Sequence, residues 1–364
     1  MPRCGSRPLA SAAPRGGRTG RGSQPDGLYL DGTQSSGRAP RGRLGCAVSE
    51  CSDGRLVHGF PGSSGRRTRG KEKQLKFWQS VFCTEFDQLI DVVRIAEELG
   101  FDGVLLSDHL LHFERISSRY PYSSDGRPPS FSATTPWPEC WSTIAALAAA
   151  TEKLAFLTNV FILPLRHPVE VAKTLASVAS MFEGRIGLGA GAGWMKEEFD
   201  ALGVDFRTRG KRFDESIEVL RKLWSGEFVE HHGRFFDFPR AKMCPVPNTS
   251  IPIYIGGMSR PALRRAATLG DGWIGAGQTL DQARATLDEL RTARAAAGRE
   301  QQPFDAIVPL LEPLTPDVVA RLEEAGAGGT VSYPFVFELG PASTLEAKRA
   351  YMERFAERVI AKVR

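Results

Sequence analysis

Asp108 and His109 stand where a short apolar run, Gly103–Ser107, gives way to a long polar loop. A histidine at the end of a buried strand can shuttle a proton near neutral pH. The aspartate before it can orient the ring or contact a cofactor. A loop-capping aspartate beside a packed histidine is the plain structural alternative. His112 extends the pair to three potential metal ligands. The other strand ends supply no further histidine and few carboxylates, so no metal site is expected.

A second chemically suggestive stretch is "FLTNVFILPLRHP". Thr158 and Asn159 are polar where a strand should be buried on both faces, and Pro164 and Pro168 bracket Arg166 and His167. Such a polar kink is either a bulge or strained peptide lining a site, or a simple strand end. Composition leaves both open.

A third is "RIGLGAGAGWMKEEFDALGVDFRTRGKR", where Gly187, Gly189, Gly191 and Gly193 alternate after a short strand and an acidic turn leads to a helix near Arg209. Strand, glycine loop and helix bring backbone close to a flat or phosphorylated ligand. Gly189 and Gly191 fit the first pair of the dinucleotide fingerprint, but position 194 is Trp194, which excludes a Rossmann NAD site. These glycines serve close approach to a planar ring, or tight turns. In "IYIGGMSRPALRRAA", Gly256 and Gly257 end a strand, Ser259 is a natural N-cap and Pro261 suits the first helical turn. Free N–H groups at that helix start suit a phosphate, with Arg260 assisting; an ordinary cap is the alternative.

The elements that must position these residues alternate regularly. Strands are expected at Leu75–Cys83, Gly103–Ser107, Leu154–Leu163, Arg185–Gly189, Ile251–Ile255, Gly272–Gly275, Phe304–Leu311 and Gly329–Tyr333. Helices follow each; Phe86, Leu89, Ile90, Val93 and Ala96 mark the first at helical spacing. A hairpin insertion is expected over Phe228–Phe238. Eight βα units of short apolar strands predict an α/β fold, a (β/α)8 TIM barrel with insertions in its βα loops, ahead of an open doubly wound sheet. The active site then belongs at the C-terminal strand ends, above all in the long loops Ser107–Pro138 and Gly189–Arg209.

Composition divides the chain. Residues 1–72 hold fifteen of the 38 glycines and carry a charge of about +8, leaving about −3 for residues 73–364. So polar and Gly-rich a segment cannot bury enough apolar surface to offset its chain entropy, and it reads as a disordered extension. A nucleic-acid arm and a transit peptide are weaker readings; upstream sequence from a mis-set start is another. No Met lies between Met1 and Met181, so a later start would use a non-Met codon near Val48, Val57 or Leu75. Residues 73–364 suit one large barrel domain. Six scattered cysteines without a CxxC pair argue for a reducing cytoplasm. No run approaches the ~20 apolar residues of a membrane span.

The segment "FEGRIGLGAGAGWMKEEFDALGVDFRTRGKRFDESIEVLRKLW", with "SDHLL", "LTNVFILPLRHPVEVAK" and "IPIYIGGMSRPALRRAATLGDGW", resembles the luciferase-like monooxygenase superfamily, and within it an actinobacterial branch of coenzyme F420-dependent oxidoreductases. The loop "SSRYPYSSDGRPP…TTPWPE" is similar to one subgroup of that branch. The resemblance spans about Leu75 to Tyr333. It implies a barrel enzyme, an oxidoreductase, holding a deazaflavin or flavin in its rim cleft. It also implies a cis peptide at Asn159–Val160 behind the ring, with Thr158 beside it. Asp108 and His109 match the pair that touches the deazaflavin and works as acid/base. Gly189 and Gly191 lie along the ring; Gly256, Gly257, Met258 and Ser259 match the loop taking the cofactor phosphate. In one departure, Trp194 replaces a glutamate of the related sugar-phosphate dehydrogenases, which implies a walled, apolar substrate pocket covered by Tyr120 and Tyr122. The expected function is F420-dependent hydride transfer with a small organic substrate. The alternatives are an FMN-dependent monooxygenase with a reductase partner, a non-catalytic deazaflavin-binding protein, and a metal-dependent hydrolase. A cytoplasmic homodimer without nucleic acid or membrane partners is expected.

Overall fold

The computed structural model of the chain describes residues 74–128 and 132–364. The extension expected over residues 1–72 lies outside the described residues, as do Cys4, Cys46 and Cys51.

Eight parallel strands close into a ring: β1 (Lys76–Ser80), β2 (Gly103–Leu106), β3 (Ala155–Thr158), β4 (Ile186–Gly191), β5 (Ile253–Gly256), β6 (Gly272–Ile274), β7 (Asp305–Val308) and β8 (Gly329–Ser332). Each pairs with the next, and Phe77↔Thr330 joins β1 to β8. Around it run α1 (Leu89–Glu98), α2 (Cys140–Ala149), α3 (Pro168–Met181), α4 (Lys196–Ala201), α5 (Arg209–Leu223), α6 (Arg260–Leu269), α7 (Leu280–Ala296), α8 (Pro316–Glu324), α9 (Phe335–Leu339) and α10 (Leu345–Phe355). The chain therefore folds as the (β/α)8 barrel expected from its strand count.

The strands are apolar on both faces because both are covered. Trp78, Leu105, Leu157, Tyr254, Ile274, Ile307 and Val331 fill the interior, while the outward residues pack under the helices in the larger core. Big interior rings need small neighbours: a Cβ on Gly103 would stand 2.6 Å from Trp78 Cε3, and one on Gly272 2.5 Å from Tyr254 Cε1. Side-chain caps start six of these ten helices, including Ser259 at α6 and a Thr279/Gln282 capping box at α7.

Four elements differ from expectation. The third strand was expected to run unbroken to Leu163; it stops at Thr158 and resumes as Phe161–Ile162, followed by a single 3-10 turn. Thr158 Oγ1 both donates to Gly189 O at 2.7 Å and accepts from Gly189 N at 3.1 Å, so a side chain replaces the regular ladder there. The acidic stretch after Trp194, expected as a turn, is α4. Its Phe199 is buried with Ile162 and Leu165, and Glu197 and Glu198 suit the positive end of its dipole. The loop after β8 contains the short helix α9, anchored by buried Phe335. The inserted hairpin pairs Val229–His232 with Asp237–Ala241, slightly longer than expected. No described helix is long and apolar enough to cross a membrane.

Candidate active site

The end of β2 delivers Asp108 and His109 to the C-terminal rim, where they take different partners. Asp108 is buried. Arg166 grips its carboxylate with two hydrogen bonds, 2.6 and 2.7 Å, and Ile162 N donates to it at 2.8 Å. Asp108 thus ties β2 to the segment after β3, a bidentate pairing of high geometric specificity. It does not orient His109, as one sequence reading had it. Glu198 does: its Oε2 lies 3.1 Å from His109 Nδ1, and its Oε1 accepts from Leu110 N at 2.7 Å. Glu198 is 1% exposed. A carboxylate at Nδ1 favours the tautomer with the proton on that nitrogen.

Sequence reasoning missed Glu198 because it lies in the short helix read as a turn. It also missed Trp137, although Pro136 and Pro138 flank it. The His109 ring meets Trp137 edge-on at 4.7 Å and Trp194 edge-on at 5.7 Å. The aromatic row continues one way through Phe82 to Phe337 and the other through Tyr120 to Tyr122, with each centroid spacing 5.2–6.1 Å. This wall lowers the local polarity: burial, reinforced by Tyr122, pushes the Tyr120 phenol up to about 12. Trp194, Tyr120 and Tyr122, expected around a substrate, come together on one side of His109.

Tyr122 comes from the long β2 loop, whose path Glu197 fixes. Glu197 accepts from Ser117 N and Oγ (2.6 and 2.7 Å) and from Ser118 N and Oγ (3.1 and 2.7 Å). The Tyr122 residue is 45% exposed, but its hydroxyl end reaches the β5 loop, where it meets the Met258 N–H and Gly257. Burial of that end raises its pKa. Gly257 has φ +116°, a backbone state that favours glycine, and a Cβ there would meet Ala262 and Tyr122. α6 begins here, so its first-turn N–H groups and dipole end converge on Gly256–Ser259.

The Asn159–Val160 peptide is cis, and Val160 packs against the barrel interior. The glycines expected along a ring also face this segment. A Cβ on Gly189 would collide with Thr158 O, and Cβ atoms on Gly191 and Gly256 would each stand 2.5 Å from a Val160 methyl. Gly189, Gly191 and Gly256 therefore make room for the Thr158–Val160 kink itself.

His112 and His167 are exposed, the latter capping α3 by accepting from Val169 N. Among the described residues, no group of three or more His, Cys, Asp or Glu is placed to hold a metal ion.

On the β1 side of Trp137 lies a small cleft of about 20 Å³, room for about one water, bordered by Phe82, Cys83, Thr84, Leu106 and Pro136. Burial, reinforced by Glu85, pushes the Cys83 thiol up to about 12, which keeps it protonated and unreactive at neutral pH.

Comparison with known proteins places this geometry in context. A luciferase-like monooxygenase family model matches residues 63–358. An uncharacterised protein of Mycobacterium tuberculosis is 37% identical over 291 residues, covering 79% of this chain and all of that one. The F420-dependent glucose-6-phosphate dehydrogenase of Microbacterium testaceum is 30% identical over 260 residues, covering 69% of this chain and 71% of its own. Among solved structures, a monooxygenase of Streptomyces bottropensis superposes with TM-score 0.64 at 22% identity, covering 80% of this chain and all of that one. An F420-dependent secondary alcohol dehydrogenase in complex with an F420–acetone adduct does so with TM-score 0.64 at 17% identity, covering 81% and 100%. These two likenesses are in fold.

Proposed function

The chain belongs to the luciferase-like monooxygenase family, and from that premise we propose that it is an oxidoreductase transferring a hydride between coenzyme F420 and a small, largely apolar organic substrate. The observation that carries this reading is the His109–Glu198 pair set between Trp137 and Trp194 at the C-terminal rim. It combines a proton-handling group with walls that exclude water. The F420 dependence named in a relative at 30% identity supports the cofactor.

The residues fit such a group in two places. The Gly257–Ser259 loop at the start of α6 suits a phosphate, and Tyr122 and Arg260 stand by it. The Thr158–Val160 kink, held by glycines on β4 and β5, suits the back of a planar ring. When bound, the deazaflavin supplies the carbon that gives or takes the hydride. The protein's part is to orient the reactants and manage the proton. Reduction of a carbonyl, for example, needs a proton on oxygen as the hydride reaches carbon. His109 Nε2 delivers that proton, or accepts it in the reverse direction, while Glu198 steadies the charged imidazole through Nδ1. Asp108 acts indirectly, by fixing β2 to the kink through Arg166. Trp194, where dehydrogenases of sugar phosphates have a carboxylate, makes the cleft unsuited to a sugar phosphate.

The experiment is an anaerobic screen of small ketones, enones and their alcohols with reduced or oxidised F420, following the deazaflavin absorbance. The reading expects at least one acceptor or donor to turn over and His109→Ala to lose about 10²–10⁴-fold in rate. His109→Ala turning over at the wild-type rate would refute the acid/base role.

A further inference from the structure

We propose that residues 117–127 form a strap over the barrel rim, latched by the Tyr122 hydroxyl in the position that the proposed function gives to the cofactor phosphate, and that phosphate opens the strap by taking that position. The strap is closed on itself: Tyr120 N donates to Gly126 O at 2.8 Å, Ser123 Oγ to Arg127 O at 2.8 Å and Arg127 N to Asp125 Oδ1 at 3.0 Å. It therefore moves as one piece. It is docked at both ends. At its base, Glu197 on α4 accepts from Ser117 and Ser118. At its tip, Tyr122 reaches the β5 loop, where its oxygen accepts from Met258 N–H and lies 3.3 Å from the place that a Cβ on Gly257 would fill. Between the two, Tyr120 meets Trp194 and Tyr122 edge-on, each at 5.3 Å.

The two ends differ in strength. Glu197 is a carboxylate held by four hydrogen bonds, whereas the tip rests on a phenol oxygen, and Tyr122 is 45% exposed. In the β5 loop, Gly257 N already donates to Ile274 O at 3.3 Å and Ala262 N to Ser259 Oγ at 3.4 Å. Met258 N–H is the donor over which phenol and phosphate compete. A charged oxyanion accepts a hydrogen bond about twice as strong as a neutral oxygen does, and the dipole of α6 favours the anion further. Phosphate thus displaces the hydroxyl, and the strap swings out on its Glu197 base. Loss of one neutral hydrogen bond shifts such an equilibrium roughly two- to tenfold. This deepens the proposed function by making the cofactor open its own cover, and so rests on that reading; inorganic phosphate tests the latch without the cofactor.

The latch is read by trypsin cleavage of the full-length protein after Arg119, an exposed residue of the strap, followed by mass spectrometry. Cleavage of a closed segment tracks the population of its open form. The probes are F420, its phosphate-free riboside, and inorganic phosphate against chloride at equal ionic strength. In wild type, F420 and phosphate should each speed cleavage about twofold or more, and the riboside should not. Tyr122→Phe removes the hydroxyl and keeps the ring. It should be cut about two- to tenfold faster without ligand, bind F420 tighter by a similar factor and bind the riboside as wild type does. Weaker F420 binding by Tyr122→Phe would make the hydroxyl a phosphate ligand instead of a competitor and overturn the proposal, as would ligand-free cleavage at the wild-type rate. F420 that binds wild type without changing cleavage would sink the latch and leave the cofactor reading standing. Phosphate-accelerated cleavage in a protein that binds no F420 would do the reverse, and no response to either would overturn both.

Discussion

His109 Nδ1 and Glu198 Oε2 lie 3.1 Å apart across 89 residues of sequence. The contact joins the end of β2 to a six-residue helix that follows β4, so it exists only once the barrel has closed. Glu198→Gln keeps the shape and a hydrogen-bonding group but removes the negative charge. The expected outcome is a fall in kcat of about 10–100-fold with KM and F420 affinity little changed. Steady-state kinetics with a substrate found in the screen would check it; an unchanged kcat would mean that Glu198 serves packing alone.

Asp108 and Arg166 form a second pair, with side chains 4% and 18% exposed. Removing one partner of a buried pair leaves a charge uncompensated, at a cost of about 3–5 kcal/mol. Asp108→Asn is expected near the low end of that range, because Arg166 also bonds Ile162 O at 3.0 Å. Urea unfolding would measure it, and loss of less than 1 kcal/mol would contradict the argument.

Val160 sits between Gly191 and Gly256, each with room for hydrogen and not for carbon. Gly191→Ala should therefore destabilise the protein by about 1–3 kcal/mol, the usual range for overpacking. Val160→Ala in the same chain should recover most of that loss, since it removes the methyl that clashes. Thermal unfolding of the two single variants and the double variant closes the cycle.

Glu197 staples the long β2 loop to α4. Partial burial pushes its pKa up, but the hydrogen bonds from Ser117 and Ser118 outweigh this and lower it to about 2 from 4.5. A carboxyl with a folded pKa below its unfolded value stabilises above the unfolded value and loses that contribution as pH falls through the folded one. The staple is therefore expected to hold above about pH 4.5 and to weaken progressively toward pH 2. Glu197→Gln should mimic the acid state at neutral pH. Trypsin would then cut after Arg115 or Arg119 several-fold faster than in wild type; equal rates would count against the staple.

Much of the fold was legible in the sequence because barrel strands are apolar on both faces and helix starts carry their own signals, as at Ser259 and Thr279. The polar kink was visible in Thr158 and Asn159 for the same reason: polar residues in a strand buried on both faces need an explanation. The site was less legible. Asp108 and His109 look like a cooperating pair, yet adjacent residues in extended chain point opposite ways, and each takes a distant partner, Arg166 and Glu198. Glu198 itself was hidden because α4 is too short to show helical periodicity and is stabilised by a tertiary contact through Phe199. The glycines of β4 looked like ligand contacts; three-dimensional packing gives them a neighbour within the protein, which no spacing rule reveals.

The central claim is that this rim binds F420 in preference to FMN. The direct measurement is intrinsic fluorescence of the protein titrated separately with each, since Trp137 and Trp194 flank the site and a bound ring should quench them. The account predicts saturable, micromolar quenching by F420 and none by FMN over the same range. Tighter binding of FMN would contradict it and favour a flavin monooxygenase, and no response to either would contradict cofactor binding at this rim altogether.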